Sequence, residues 1–229
     1  MRSSKLLTGP AVLNWLPTSG SWYSISNKTD LARAEIFLYD EIGFFGVTAA
    51  DFIHDLVDVT APEIRVHISS RGGDVFDGIA IFNALRTHEA RITIQVDALA
   101  ASVASVIAQA GDERVMVTGS QMMIHDAFGL AAGDSEDMRD FADILDKQTD
   151  NIAGIYAERA GDGRKKSHYR SLMRDETWMN ATEAVTEGLA DSVIKPDTGA
   201  NVPASTEGDD AVEALDMTKF NASTKIRTA

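Results

Sequence analysis

Ile92-Thr93-Ile94-Gln95-Val96, followed closely by Ala98-Leu99-Ala100-Ala101-Ser102-Val103-Ala104-Ser105-Val106, is an apolar run that ends in small residues around a serine. The β-branched residues of the first part suit a strand, and the small residues of the second suit a helix packed tightly on a sheet. Together they read as a strand turning sharply into a helix with a hydroxyl at the bend. A nucleophile needs that placement, because backbone N–H groups at the helix start can hold an oxyanion. Core packing alone accounts for the same small residues, so the rest of the chain must decide between the two readings.

Working outward, Ala34–Asp40 and Ile64–Ile68 have the pattern of short strands, and Val47–Val57 and Val75–Arg86 have apolar residues at helical spacing. After the helix beginning at Ser102 come a strand at Arg114–Val117 and another at Met122–His125. A long helix over Asp134–Ala160 would set Met138, Phe141, Leu145, Ile152 and Ile155 along one face, and Trp178–Gly188 reads as a helix before a strand at Ala190–Ile194. Strand–helix alternation with short connections predicts an α/β domain with a parallel or mixed sheet, whose site lies beyond the carboxyl ends of the strands. Gly73, Ser102 and His125 all fall at or just past such ends. Residues 1–33 read as an irregular N-terminal arm with a short strand near Trp22–Ile25, 34–195 as the α/β domain, and 196–229 as a flexible acidic tail.

The 229 residues suffice for one substantial domain, and the absence of cysteine excludes disulfides, thiol nucleophiles and thiolate metal sites. A net charge of −14 argues against a nucleic-acid partner, which needs a basic face. The first ten residues make a poor signal peptide and no run is long enough for a membrane span, so a soluble cytoplasmic protein with no membrane partner is expected.

Ser102 needs a base, a group to orient that base, and donors for an oxyanion. Of the five histidines, His54 falls in a helical stretch, His67 inside a strand, and His88 and His168 in polar stretches. His125 alone ends an apolar strand before a polar loop, and it is the best candidate for the base. The Ser69-Ser70-Arg71-Gly72-Gly73-Asp74 turn can present free N–H groups, joined by that of Val103; a plain tight turn is the bland alternative. The turn lacks both the P-loop and the dinucleotide-binding glycine patterns. Asp175 and Glu176 precede a helix start marked by Asn180 and Glu183, and either could orient the histidine; a solvated acidic pair is the alternative. No metal-ligand spacing stands out, and no cofactor is expected.

Ile68–Val75, Ala100–Ala104, Met123–His125 and Ala181–Asp191 resemble, in order and spacing, the motifs of the Clp protease proteolytic subunit family. The resemblance covers about residues 34–195, and Ala34–Gly43 looks most like the phage and prophage branch, whose members mature capsid heads. It implies an α/β fold of the ClpP/crotonase type, a spiral of ββα units with a long handle helix. It implies a serine endopeptidase with Ser102 as nucleophile, His125 as base, and Gly73 and Val103 as oxyanion-hole donors. The family's catalytic aspartate aligns with Glu176, with Asp175 as the alternative. Family members form stacked-ring homo-oligomers around the active sites, with residues of about 126–160 at the ring–ring contact. Polypeptide substrates and, as further partners, an ATP-dependent unfoldase or capsid proteins follow from the resemblance. A phage-encoded member would work in the host cytoplasm or the assembling prohead.

Arg71 stands where the family usually has proline, and the N-terminal segment departs from the family's axial-loop and unfoldase-docking pattern. Two other enzyme readings are weaker. An acyl-CoA hydratase or isomerase of the same fold needs no serine nucleophile, and a Ser–Lys peptidase would have to bring Lys147 out of the long helix. A catalytically silent capsid-assembly or scaffold protein is the non-enzymatic alternative.

Overall fold

The computed structural model describes residues 23–26, 33–161 and 163–195, so most of the expected arm and all of the expected tail lie outside the described residues. Eight strands form one sheet: β1 (Tyr23–Ser26), β2 (Arg33–Leu38), β3 (Glu63–Ser70), β4 (Arg91–Ala101), β5 (Glu113–Val117), β6 (Gln121–Ile124), β7 (Thr177–Asn180) and β8 (Ser192–Ile194). The helices are α1 (Ala49–Val57), α2 (Val75–Thr87), α3 (Val103–Ala108), α4 (Ser135–Ala160), α5 (Lys166–Arg174) and α6 (Ala181–Thr186). The main path runs β1-β2-β3-β4-β5-β8; all of its pairings are parallel except β1 with β2. This is the mixed α/β architecture expected from the alternation of strands and helices.

Alternation sets the two faces of the sheet. Ile36, Leu38, Ile64, Val66, Ile68, Ile92, Ile94 and Val96 are buried, while Glu35, His67, Gln95 and Asp97 occupy the opposite face. Each such fully buried aliphatic side chain contributes about 1.5–3 kcal/mol relative to exposure.

β4 is much longer than the expected 92–96 strand, because it has two partners on one side. Its first half pairs with β5, and Leu99–Ala101 pairs with Gln121–Met123 of β6. Those backbone bonds keep Ala98–Ala101 extended, and the helix begins at Val103 rather than Ser102. The Trp178–Gly188 helix is also corrected. Thr177–Asn180 pairs antiparallel with β6, and only at Asn180, through the capping box with Glu183 foreseen in the sequence, does α6 begin. α5 was not anticipated. Among the described residues, no helix is long and apolar enough to cross a membrane.

The outward face of β2–β4 carries a polar network. His67 Nδ1 meets Asp97 Oδ2 at 2.8 Å, His67 Nε2 meets Glu35 Oε2 at 3.0 Å, and the ring stacks on Phe37. Burial opposes a charge on His67, but the two carboxylates outweigh it and raise its pKa to about 8. Burial also acts on Glu35 and Asp97, yet their bonds to His67 hold both below the usual carboxylate range. The raised histidine stabilises the fold fully below its unfolded value near 6.5, and that contribution fades as pH climbs through about 8. The carboxylates act in the opposite direction, and their contribution is lost as pH falls through their lowered range. Urea unfolding at pH 6 and pH 9 is expected to show a loss of about 1 kcal/mol that is absent from His67→Gln. An equal loss in the variant would remove His67 as its source.

Candidate active site

Ser102 sits between the end of β4 and the start of α3 with φ 54° and ψ −131°, a positive φ that non-glycine residues adopt only under constraint. The constraint is visible: Ser102 N–H donates to Met123 O at 2.9 Å, while its own carbonyl accepts from Ser105 N–H at 2.9 Å. One side of the residue is thus fixed to β6 and the other to the first turn of α3. The hydroxyl projects from the bend and stands in hydrogen-bond contact with His125 Nε2 at 2.7 Å. β6 brings His125 there, since its pairing with β4 carries the chain end past Ala101.

The glycine turn closes the opposite wall. Ile42 N–H donates to Gly72 O at 2.8 Å and Asp74 N–H donates to Ile42 O at 2.8 Å. In a bridge of that type the N–H of Gly73 points away from Ile42. A Cβ on Gly73, where φ is +146°, would lie 2.0 Å from Ile42 O. One on Gly72, at φ +91°, would lie 2.7 Å from the Cβ of Ser102 and 3.0 Å from Val103 N. Close approach, not loop flexibility, is the reason for both glycines. Val103 opens α3, so its N–H has no partner within the helix. Gly73, Ser102, Val103 and His125 line one cavity of about 40 Å³, together with Val75, Val106, Phe128 and Tyr156. That volume holds roughly a single water, so a polymer would lie across its mouth.

The acid is the member that the structure does not bring into contact. The β6–β7 ladder ends with Ile124 paired to Thr177, one residue short of His125 on one side and of Glu176 on the other. Glu176 has φ 47°, which turns the chain out of the ladder, and its Oε1 accepts from Trp178 Nε1 at 3.3 Å. Among the described residues, no carboxylate hydrogen-bonds His125. No group of three or more His, Asp or Glu side chains there could hold a metal ion.

Sequence reading missed the support behind α3. Ser105 Oγ and the buried Tyr156 hydroxyl are 2.8 Å apart, tying α3 to the long helix. The signal for Tyr156 is its place one turn after Ile152 on the buried stripe of α4. The first half of α4 is largely exposed, including Met138 at 37% and Ile144 at 45%, and the nearby Phe128 and Leu130 are exposed as well.

The pattern of the family described as Clp protease matches residues 18–197. The chain is 33% identical over 136 residues to the ATP-dependent Clp protease proteolytic subunit of Leuconostoc citreum, covering 58% of this chain and 67% of that one. It is 34% identical over 133 residues to the subunit of the same name from Pleurastrum terricola, covering 57% and 67%. It is 28% identical over 176 residues to ATP-dependent Clp protease proteolytic subunit 4, chloroplastic, of Arabidopsis thaliana, covering 71% and 59%. With the sheet, the serine bend and the glycine turn in place, these likenesses agree with the fold: the chain belongs to the Clp protease family.

Proposed function

We propose that the protein is a serine endopeptidase in which Ser102 Oγ attacks a peptide carbonyl while His125 Nε2 takes its proton. The observation that carries this reading is the 2.7 Å contact between those two atoms at a constrained bend. The tetrahedral oxyanion rests on the N–H groups of Gly73 and Val103, which flank the same cavity. Collapse releases the amine with the proton from His125, and water then hydrolyses the acyl-enzyme by the reverse path. A fluorophosphonate is expected to label Ser102 in the wild type, with the adduct located by mass spectrometry. An adduct on another serine, or none, would sink the proposal.

Glu176 completes the triad by orienting His125, a reading supported by its match to the family's catalytic aspartate and its place directly before β7. Glu176→Gln is expected to lower kcat by about 10²–10⁴-fold, in line with loss of an orienting carboxylate, while Asp175→Asn changes it less than threefold. The reverse order would move the role to Asp175.

The protein assembles with copies of itself, as its family does, through the exposed apolar residues of α4 and the preceding loop. The likeness of Ala34–Gly43 to the phage and prophage branch supports capsid or scaffolding polypeptides as natural substrates, met in the cytoplasm or the assembling prohead. Docking of an ATP-dependent unfoldase is the alternative route by which substrate would arrive.

A further inference from the structure

Among the described residues the His125 side chain hydrogen-bonds only Ser102; β6 delivers it from one side, and the two residues after it anchor it from the other. Asp126 N–H donates to Met173 O of α5 at 3.2 Å, and Ala127 N–H donates to Thr149 Oγ1 of α4 at 3.0 Å. The Asp126 side chain faces Arg170. Its Oδ1 is buried without a hydrogen bond and lies 3.7 Å from Arg170 Nη1, which is also buried without one. Arg170 reaches Asp146 at 3.5 Å and Asp150 at 3.3 Å on α4, and Lys166 binds Asp150 at 2.8 Å. One guanidinium therefore faces three carboxylates, and its planar fork can span them where a single ammonium cannot.

We propose that Arg170 is a positioning residue: by neutralising the buried edge of Asp126 and clamping it to α4, it holds His125 within reach of Ser102. The inference rests on the peptidase reading of the Ser102–His125 pair. The Asp126 side chain is 39% exposed, so without Arg170 its one buried oxygen would lose its counter-ion and the carboxylate would swing fully toward water, drawing the following backbone with it. Removing the carboxylate's charge as well should relieve that drive. A purely structural staple between α4 and α5 would not respond in this way.

The test uses the full chain. Arg170→Gln is expected to lower kcat for a peptide substrate about tenfold with KM within twofold, and to slow fluorophosphonate labelling of Ser102 to match. Amide exchange in the 123–130 segment should accelerate. Arg170→Gln with Asp126→Asn is expected to recover at least a third of the wild-type kcat. Wild-type kcat and exchange in Arg170→Gln, or a double variant no better than the single one, would overturn the proposal. Should Arg170→Gln fail to fold, Arg170→Lys is read against the same criteria. If the wild type itself neither cleaves nor labels, the peptidase reading fails; amide exchange then decides the positioning claim, with acceleration supporting it and no change refuting it.

Discussion

Ser102→Ala is expected to reduce peptide hydrolysis by about 10⁴-fold or more while the protein still folds and assembles. The size follows from chemistry. Among the described residues no other hydroxyl contacts His125, and the oxyanion donors and substrate contacts that remain act only on a much slower attack by water. Stability should change by less than about 1 kcal/mol, because alanine leaves the backbone bonds to Met123 and Ser105 in place and deletes one half-buried hydroxyl. His125→Ala should produce a loss of similar size, and the double variant should be little worse than either single one. Residues that act as one unit show that non-additivity, whereas independent contributors would multiply. Initial rates on a fluorogenic peptide, with circular dichroism as the folding control, decide it. Retention of a tenth of wild-type activity by Ser102→Ala would remove serine chemistry from this site.

Much of the site was legible because strand ends leave marks in sequence. The runs ending at Ile68, Val96 and Ile124 are apolar and short, and each is followed by a residue type that chemistry could use. What failed to read shares a cause. β7 is four residues long and continuous with a strong helix signal, so its extended state comes from the hydrogen bonds of β6 and not from its own pattern. α5 is short and mostly polar, and its apolar stripe, though regular, buries only Tyr169 and Met173, so it is easily passed over as a surface stretch. The acid was ambiguous for the same reason: the choice between Asp175 and Glu176 depends on a register that β7 alone does not encode. The Arg170 cluster joins α4, α5 and the loop after β6, and only their packing brings it together.

Gly72→Ala is expected to cost both stability and catalysis, and Gly119→Ala shows why the comparison is informative. The two glycines share nearly the same φ, +91° and +92°. An L-residue in that region pays a conformational cost of about 1–2 kcal/mol at either position. The surroundings differ. At Gly119 an added Cβ meets nothing within 4 Å, so Gly119→Ala should pay the conformational cost alone. At Gly72 it would stand 2.6 Å from Ala101 O, 2.7 Å from Ser102 Cβ and 3.0 Å from Val103 N. Two of those atoms are backbone and the third is the first carbon of the nucleophile's side chain, so none is a flexible tip that can swing aside. The turn and the β4–α3 bend must separate, which brings the expected total to about 3 kcal/mol or more. The same separation pulls Val103 N–H and Ser102 Oγ away from Gly73. A displacement near 1 Å at a reacting centre costs on the order of 10²-fold in rate. Urea midpoints and kcat for the two variants, measured side by side, check both parts. If Gly72→Ala were as stable and as active as Gly119→Ala, the tight fit of the glycine turn on Ser102 would not be what holds the two halves of the site together.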